Sequence, residues 1–444
     1  MRARAWFFCW PALAWAGCSA ADRVHVAPSW RADAPTVVAV IGVNGRAVGS
    51  SPWMYREGLT LELPADELPA RIFAQTFRPL SAGGPDLERC RPVHGGPGPE
   101  AVPELSFTSN RIEQVGDDVS FGAESEPFTD LDLTLGPPCA LPLCERTTMD
   151  PFQYGRGGRE VDLRQVVALP SGRALVFPAD VDDGTHGVLR FDRTRGFEEV
   201  LGLPLEGGVS EVARAPDGTI YVALLRGRIL QLDAEANLLV DTTLPFLARG
   251  LSAGRDGTVI AYSSTRAVEL SRGSTLTPEL EGGLPGNVAQ LAVVTRDRIF
   301  AAHDRGLDRF DGTTWRRELN HPFEFDPEAP HRTLLAADDD LAWVLEANAS
   351  WIRDESAGTW ASSTPPSTNL SMRVLRTLGK GRLVAGGQEG TVVLYEHERW
   401  CLFPTYLSNR ILAGDTSPDG NSLMLVTWSS DGYAWLLILD LPED

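Results

Sequence analysis

A few short stretches of this sequence hold residue types that can do chemistry. Gly250-Leu251-Ser252-Ala253-Gly254 has the Gly-x-Ser-x-Gly spacing that lifts a nucleophilic serine onto a strained turn between a strand and a helix. The next residues are Arg255-Asp256-Gly257 and an apolar, strand-like run, with no helical pattern. The same register is held one repeat earlier by Val212-Ala213-Arg214-Ala215-Pro216, which has no serine. Ser252 therefore reads as part of an inner strand. Asp180-Val181-Asp182-Asp183-Gly184 opens like a calcium loop, but the twelfth position of an EF-hand register falls on Phe191 instead of a glutamate. A solvated acidic loop is the expectation there. The seven histidines (His25, His94, His186, His303, His321, His331 and His397) show no His-x-His or His-Glu-x-x-His spacing. No metal site and no cofactor are expected.

The cysteines carry the next chemistry. Arg2 and Arg4 precede an apolar run from Ala5 to Gly17, too short to span a bilayer, so residues 1–18 read as a secretion signal. Ala16-Gly17-Cys18-Ser19 has the small-residue-then-cysteine form of a lipidation site, with Cys18 as the lipid-bearing residue. Ser19-Ala20-Ala21 is the alternative cleavage site without lipid. The expectation is an exported chain, anchored to the outer membrane on its periplasmic or surface face, or secreted if Cys18 is not lipidated. Membrane contact would be through the lipid alone. Cys90, Cys139, Cys144 and Cys401 remain after processing, an even number in an exported chain, and are disulfide candidates. Cys139 with Cys144 and Cys90 with Cys401 is the favoured pairing.

What must position any of these groups is a repeat. Polar turns fall at Ser171-Gly172, Asp217-Gly218, Asp256-Gly257, Asp297-Arg298, Asp339-Asp340, Gly379-Lys380-Gly381 and Asp419-Gly420. Their spacing is about 40 residues, that of four-stranded propeller blades. Each turn precedes a short run of β-branched, aromatic and small apolar residues, such as Thr219-Ile220-Tyr221-Val222-Ala223, as a strand buried on both faces should read. A second strand comes after a variable loop and usually ends in an acid (Asp192, Asp233, Asp311, Glu396, Asp440), suited to a turn. Trp315, Trp360 and Trp400 mark outer strands.

The expected fold is all-β, a seven-bladed β-propeller over 161–444, eight blades being the alternative. A linker over 19–35, a small β-sandwich-like module over 36–80 and a Gly/Pro-rich connector over 81–160 precede it. The last repeat ends four residues past its third strand. An unpaired edge is an aggregation hazard, so a segment upstream of Leu163 is expected to close the ring. Leu131–Leu135 and Phe152–Tyr154 are the candidates.

The stretch Arg298–Trp315 (RIFAAHDRGLDRFDGTTW) and the stretch Asp217–Ala223 resemble repeats of the YVTN/WD40-like and two-component-regulator-type propeller superfamily. The resemblance covers about 163–441 and implies the fold. It leaves the activity open, because propellers host enzymes, sensors and scaffolds alike. The Gly-His and Trp-Asp signatures of WD40 proper are missing.

The net charge of −20 argues against a nucleic-acid partner, since an acidic surface repels phosphate backbones. Lys380 is the only lysine, which disfavours Schiff-base chemistry. The leading expectation is a non-catalytic envelope propeller that binds a protein or a glycan. A hydrolase, lyase or lactonase acting on sugars is the alternative. Ligands dock most often where the loops joining second to third strands gather. Those loops carry Asp182, Asp183, His186, Arg226, Arg266, His303, Arg305, Glu346, Asn348, Gln388, Glu389, Trp428 and Asp431.

Overall fold

In a computed structural model the repeats form seven antiparallel sheets. The structure describes residues 163–178, 187–200, 202–323, 333–346, 349–354, 358–362, 372–387, 392–396, 399–403, 410–428 and 434–441. Upstream it describes the strands 22–29, 38–43, 46–47, 59–63, 72–78, 128–134, 139–140 and 143–149.

Blade 2 shows how the sequence makes a sheet. Its strands are Val209–Arg214, Ile220–Leu224, Arg228–Leu232 and Leu238–Thr243, hydrogen-bonded in that order. The first turn closes because Gly218 takes a φ of +84°, a region that costs a residue with a Cβ, and because Asp217 Oδ1 accepts from Thr219 N at 2.9 Å. The second strand is buried throughout. Asp233 ends the third strand, and its Oδ1 accepts from Glu235 N and Asn237 N at 2.9 and 2.8 Å. The outer strand is mostly exposed.

Blades 1, 4, 5 and 6 repeat this plan. Blade 1 runs Leu163–Leu169, Arg173–Pro178, Val188–Asp192 and Gly196–Val200; blade 4 runs Val288–Thr295, Arg298–His303, Gly306–Phe310 and Trp315–Leu319. Blade 5 is Leu334–Ala337, Leu341–Glu346, Ala349–Asp354 and Thr359–Ser362; blade 6 is Met372–Gly379, Arg382–Gly387, Val392–Glu396 and Arg399–Phe403. Blade 3 has three strands, Gly250–Ala253, Val259–Tyr262 and Ala267–Leu270. A single bridge from Val268 to Glu279 stands in place of its fourth.

The inner strands pack side by side all the way round, blade 7 against blade 1 included. Buried apolar clusters fill each gap between neighbours. One joins blades 1 and 2 (Leu175, Phe177, Val222, Leu230) and another joins blades 3 and 4 (Ile260, Tyr262, Leu291, Ile299). A third joins blades 7 and 1 (Met424, Ile438, Val176, Phe191). No blade can bury both its faces alone, so the closed ring is what makes each sheet stable. Trp360 of blade 5 packs edge-on against Phe300 of blade 4, 6.2 Å between centroids, and Trp315 joins the cluster of blades 3 and 4. Both are packing residues. The side chain of Trp400 lies outside the described residues.

Blade 7 supplies Arg410–Thr416, Ser422–Trp428 and Ala434–Asp440. Its fourth strand is Leu143–Met149, paired antiparallel over seven residues from Ala434↔Met149 to Asp440↔Leu143. The closing segment thus differs from both candidates read from the sequence. Residues 131–134 belong to Phe128–Thr134, which pairs in parallel with Asp22–Ser29, and 152–154 lie outside the described residues. An outer strand needs little apolar character, so Leu143–Met149, with its Glu, Arg and two Thr, gave no alternating signal. The expected eighth-blade alternative falls with seven sheets in the ring.

Asp22–Ser29, inside the expected linker, also pairs with Leu59–Leu63. Val38–Val43 pairs with Arg46–Ala47 and with Ile72–Arg78. The rest of the expected module over 36–80 lies outside the described residues, as do the expected signal, Cys18 and Cys90. Cys139, Cys144 and Cys401 sit in strands whose side chains are likewise not described.

Candidate functional site

The turns between second and third strands share one end of the ring with the connections that lead into the inner strands. Leu225 N donates to Gly208 O at 3.1 Å, and Leu244 N to Gly227 O at 2.7 Å. Val288 N donates to Ser264 O at 2.8 Å, and Asp304 N to Asn287 O at 3.2 Å. Each turn is therefore clamped to the chain entering its own blade or the next.

Five of the site residues expected from the sequence have described side chains, and they separate into two groups. Arg226 is exposed. Arg266 bonds Glu279 at 2.5 Å and Pro245 O at 3.3 Å, and lies 5.3 Å above the Phe246 ring. Arg305 donates to Pro285 O. These three lie on the rim of blades 2, 3 and 4, and Arg266 and Arg305 bond across it.

His303 and Glu346 are internal braces. His303 is 0 % exposed, so it offers no surface to a ligand. Its Nδ1 accepts from Arg305 N at 3.2 Å, and its Nε2 is 3.1 Å from Asp308 Oδ2, off the line of a well-aligned hydrogen bond. Arg317 bonds the other oxygen of Asp308. Glu346 receives His321 Nε2 at 3.0 Å and the Thr333 hydroxyl at 3.4 Å, with the His321 ring 4.3 Å from Trp351. Asp182, Asp183, His186, Asn348, Gln388, Glu389 and Asp431 lie outside the described residues, and so does the side chain of Trp428.

The channel wall was not legible as a site in the sequence. Each inner strand has one edge without a ladder partner, and its backbone groups need other partners. Side chains of adjacent blades supply them. Gln165 Nε2 donates to Ser210 O at 3.2 Å, Ala168 N to Asp415 Oδ2 at 3.0 Å, and Val293 N to Ser252 Oγ at 2.9 Å. Arg214 Nη2 reaches from blade 2 to Thr416 O of blade 7 at 3.1 Å. Ser252 is thus spent on an amide in the middle of an inner strand, and the Gly-x-Ser-x-Gly pattern holds no nucleophile elbow. Tyr262 is fully buried, and its hydroxyl accepts from Leu291 N at 3.3 Å. Burial pushes that phenol up; Glu211 reinforces the shift, while Arg249 and Arg376 oppose it. The signal that could have marked this wall is the polar residue standing inside otherwise apolar inner runs, such as Gln165, Ser252 and Gln290.

Asp338 is a carboxyl with a raised pKa, burial being the first cause and Asp340 and Asp339 lesser ones. Its Oδ1 accepts from Asp340 N at 2.8 Å and Leu341 N at 2.9 Å, which holds the first turn of blade 5. Among the described residues no three His, Cys, Asp or Glu side chains gather to hold a metal ion, and no helix is long and apolar enough to cross a membrane.

Large apolar side chains are exposed in one sector only among the described residues. Leu225, Leu238, Leu239, Leu247 and Leu276 are 47, 43, 43, 61 and 75 % exposed, and all five belong to blades 2 and 3 and their connection. A Cβ on Gly227 would stand 3.6 Å from Leu247 Cδ2, so Leu247 borders the Leu225-Arg226-Gly227 turn.

No protein-family model matches the chain, and no curated protein does. Among solved structures, it is similar to a catalytically inactive variant of virginiamycin B lyase from Staphylococcus aureus with quinupristin, at 11 % identity and a TM-score of 0.49, over 66 % of this chain and 99 % of that one. It is also similar to Ycf48 bound to D1 peptide (10 % identity, TM-score 0.47, 67 and 96 % of the two chains). The WD40 propeller domain of Doa1 matches at 16 % identity and a TM-score of 0.45, over 66 and 95 %. These likenesses concern shape alone and bear no weight for chemistry or partners; the chain is a seven-bladed β-propeller.

Proposed function

We propose that this chain is a non-catalytic binding propeller that takes a protein partner on the rim of blades 2 and 3. One observation carries the reading: the exposed Leu225 and Leu247 flank Arg226 at that rim, and Arg266 covers Phe246 beside them, while Leu238 pairs with Leu232 at the other end of blade 2. Leucines left in water beside arginine and an aromatic ring have the make-up of an interface core. Export and a lipid anchor at Cys18 complete the proposal and place the partner in the cell envelope.

The test uses a photo-crosslinking residue at Leu225 or Leu247, with Lys380, exposed at a first turn of blade 6, as the control position. A discrete crosslinked protein is expected from the two leucine positions only. Leu225→Ser with Leu247→Ser should abolish it at an unchanged melting temperature. Equal crosslinking from Lys380, or full capture by the double variant, overturns the proposal.

A further inference from the structure

On the rim of blades 2 and 3 one guanidinium has no counter-charge. Arg228 is paired with Asp241, and Arg266 bonds Glu279 at 2.5 Å. Arg226 is exposed in the Leu225-Arg226-Gly227 turn and forms no ion pair among the described residues. Glu206, on the connection that enters blade 2, is exposed and does not bond it. Acids outnumber bases in this chain, whose net charge is −20, so a cation left over on its surface is unusual.

The turn holds this group in place. Leu225 N donates to Gly208 O at 3.1 Å, and Gly227 N to Leu224 O at 3.0 Å. Gly227 takes a φ of +77°, and a Cβ on it would lie 2.8 Å from Phe246 O, so the turn rests against the 244–247 connection. Arg266 Nη1 fastens that connection from blade 3 through Pro245 O at 3.3 Å. Gly207 leaves room for the Arg226 stem: a Cβ there would lie 3.1 Å from its Cγ and 3.3 Å from its Cδ. A stem laid along backbone loses less freedom when its head is bound. Leu225 precedes Arg226 in the turn and Leu247 borders it, 47 and 61 % exposed. The result is a fixed cation set in apolar surface.

We infer that the partner docks on this rim through an acidic-apolar segment, an Asp or Glu flanked by large apolar side chains, with its carboxylate on the Arg226 guanidinium and its apolar neighbours on Leu225 and Leu247. This rests on the binding reading above and adds the partner's chemistry to it. Charge complementarity selects the carboxylate, because the arginine fork matches its two oxygens and a partner's lysine or arginine would meet a like charge. Arg228 and Arg266 already have their acids, so Arg226 is where the partner's acid goes. Apolar contacts around the pair exclude water and strengthen it. A uniformly acidic partner would be repelled by the rest of this chain, whereas one carboxylate among apolar groups is not.

The experiment is selection of a phage-displayed library of random peptides on the immobilised full chain. The same selection runs on Arg226→Glu and on the variant that combines Leu225→Ser with Leu247→Ser. The parent should enrich peptides in which Asp or Glu stands beside Leu, Ile, Met or Phe. Arg226→Glu should enrich Lys or Arg in that place. Synthetic copies of the parent's peptides, titrated by fluorescence polarisation, should bind Arg226→Gln about tenfold more weakly, the effect of one lost charge-assisted hydrogen bond. Arg226→Lys should fall between the two, and Lys380→Gln on blade 6 should bind as the parent does. Urea melts check that each variant is folded. Peptides that need Leu225 and Leu247 but carry no acid, or affinity that Arg226→Gln leaves intact, overturn the acidic-apolar assignment and leave the rim standing. Peptides indifferent to the double serine variant, or no enrichment at all, overturn both.

Discussion

Gly250→Ala tests the packing on which the channel wall depends. The added Cβ would lie 2.3 Å from Tyr262 Cζ and Oη and 2.6 Å from Cε1, far inside van der Waals contact. Tyr262 cannot swing away, because its ring is 2 % exposed and belongs to the cluster joining blades 3 and 4. Overpacking of this kind costs about 1–3 kcal/mol. If the ring shifts, Leu291 N also loses the Tyr262 hydroxyl in a buried setting, which costs about 1–3 kcal/mol more. The expected total is about 2–6 kcal/mol, a large part of the roughly 5–15 kcal/mol that holds a domain together. Tyr262→Ala alone should cost about 3–5 kcal/mol. The double variant has no ring for the new methyl to strike, so it should be more stable than the sum of the two by at least about 1 kcal/mol. Urea denaturation of the four proteins, followed by tryptophan fluorescence, measures this. Additive costs, or a Gly250→Ala protein as stable as the parent, would refute the close approach.

Proline substitution tests the strand that closes the ring. Adjacent residues of an edge strand send their N–H groups to opposite sides, so of Glu145→Pro and Arg146→Pro one should lower stability by about 2–4 kcal/mol and the other little. Two harmless prolines in urea melts would mean that Leu143–Met149 does not close blade 7. Asp338 holds its proton to a higher pH when folded than when unfolded, so the stability it contributes is lost as pH rises through that raised value. Asp338→Asn should therefore melt higher than the parent at pH 7, with the gap closing as the pH falls; a lower melting temperature at pH 7 would contradict this. Asp419 and Asp217 run the other way. The Ser417 hydroxyl lowers Asp419, and at Asp217 burial is outweighed by the bonds from Thr219 and Arg272. Their contribution is complete above the unfolded value of about 3.9 and is lost below it. Asp419→Asn and Asp217→Asn should flatten the melting-temperature profile between about pH 4 and 2, and an unchanged slope would count against the turn bonds.

The ring itself was legible because its signals are local. Asp217-Gly218 must turn, Ile220–Leu224 is apolar enough to be covered on both faces, and Asp233 caps the next turn with its own carboxylate, all within one repeat. Seven such units predict seven sheets. What a residue does within them depended on neighbours far along the chain. His303 had the composition of a ligand-binding turn residue, yet the turn folds over it and Asp308 and Arg317 enclose it. Ser252 had a nucleophile's spacing and serves the Val293 amide of the next blade. Leu143–Met149 closes the ring although nothing in its own pattern marks it, because an outer strand needs a partner edge more than an apolar face. Arg214 of blade 2 and Thr416 of blade 7 stand far apart in the chain and meet only because the blades stand in a circle. Periodicity and turn chemistry are short-range and can be read from sequence; which polar groups face one another across a closed ring is decided only when the ring has formed.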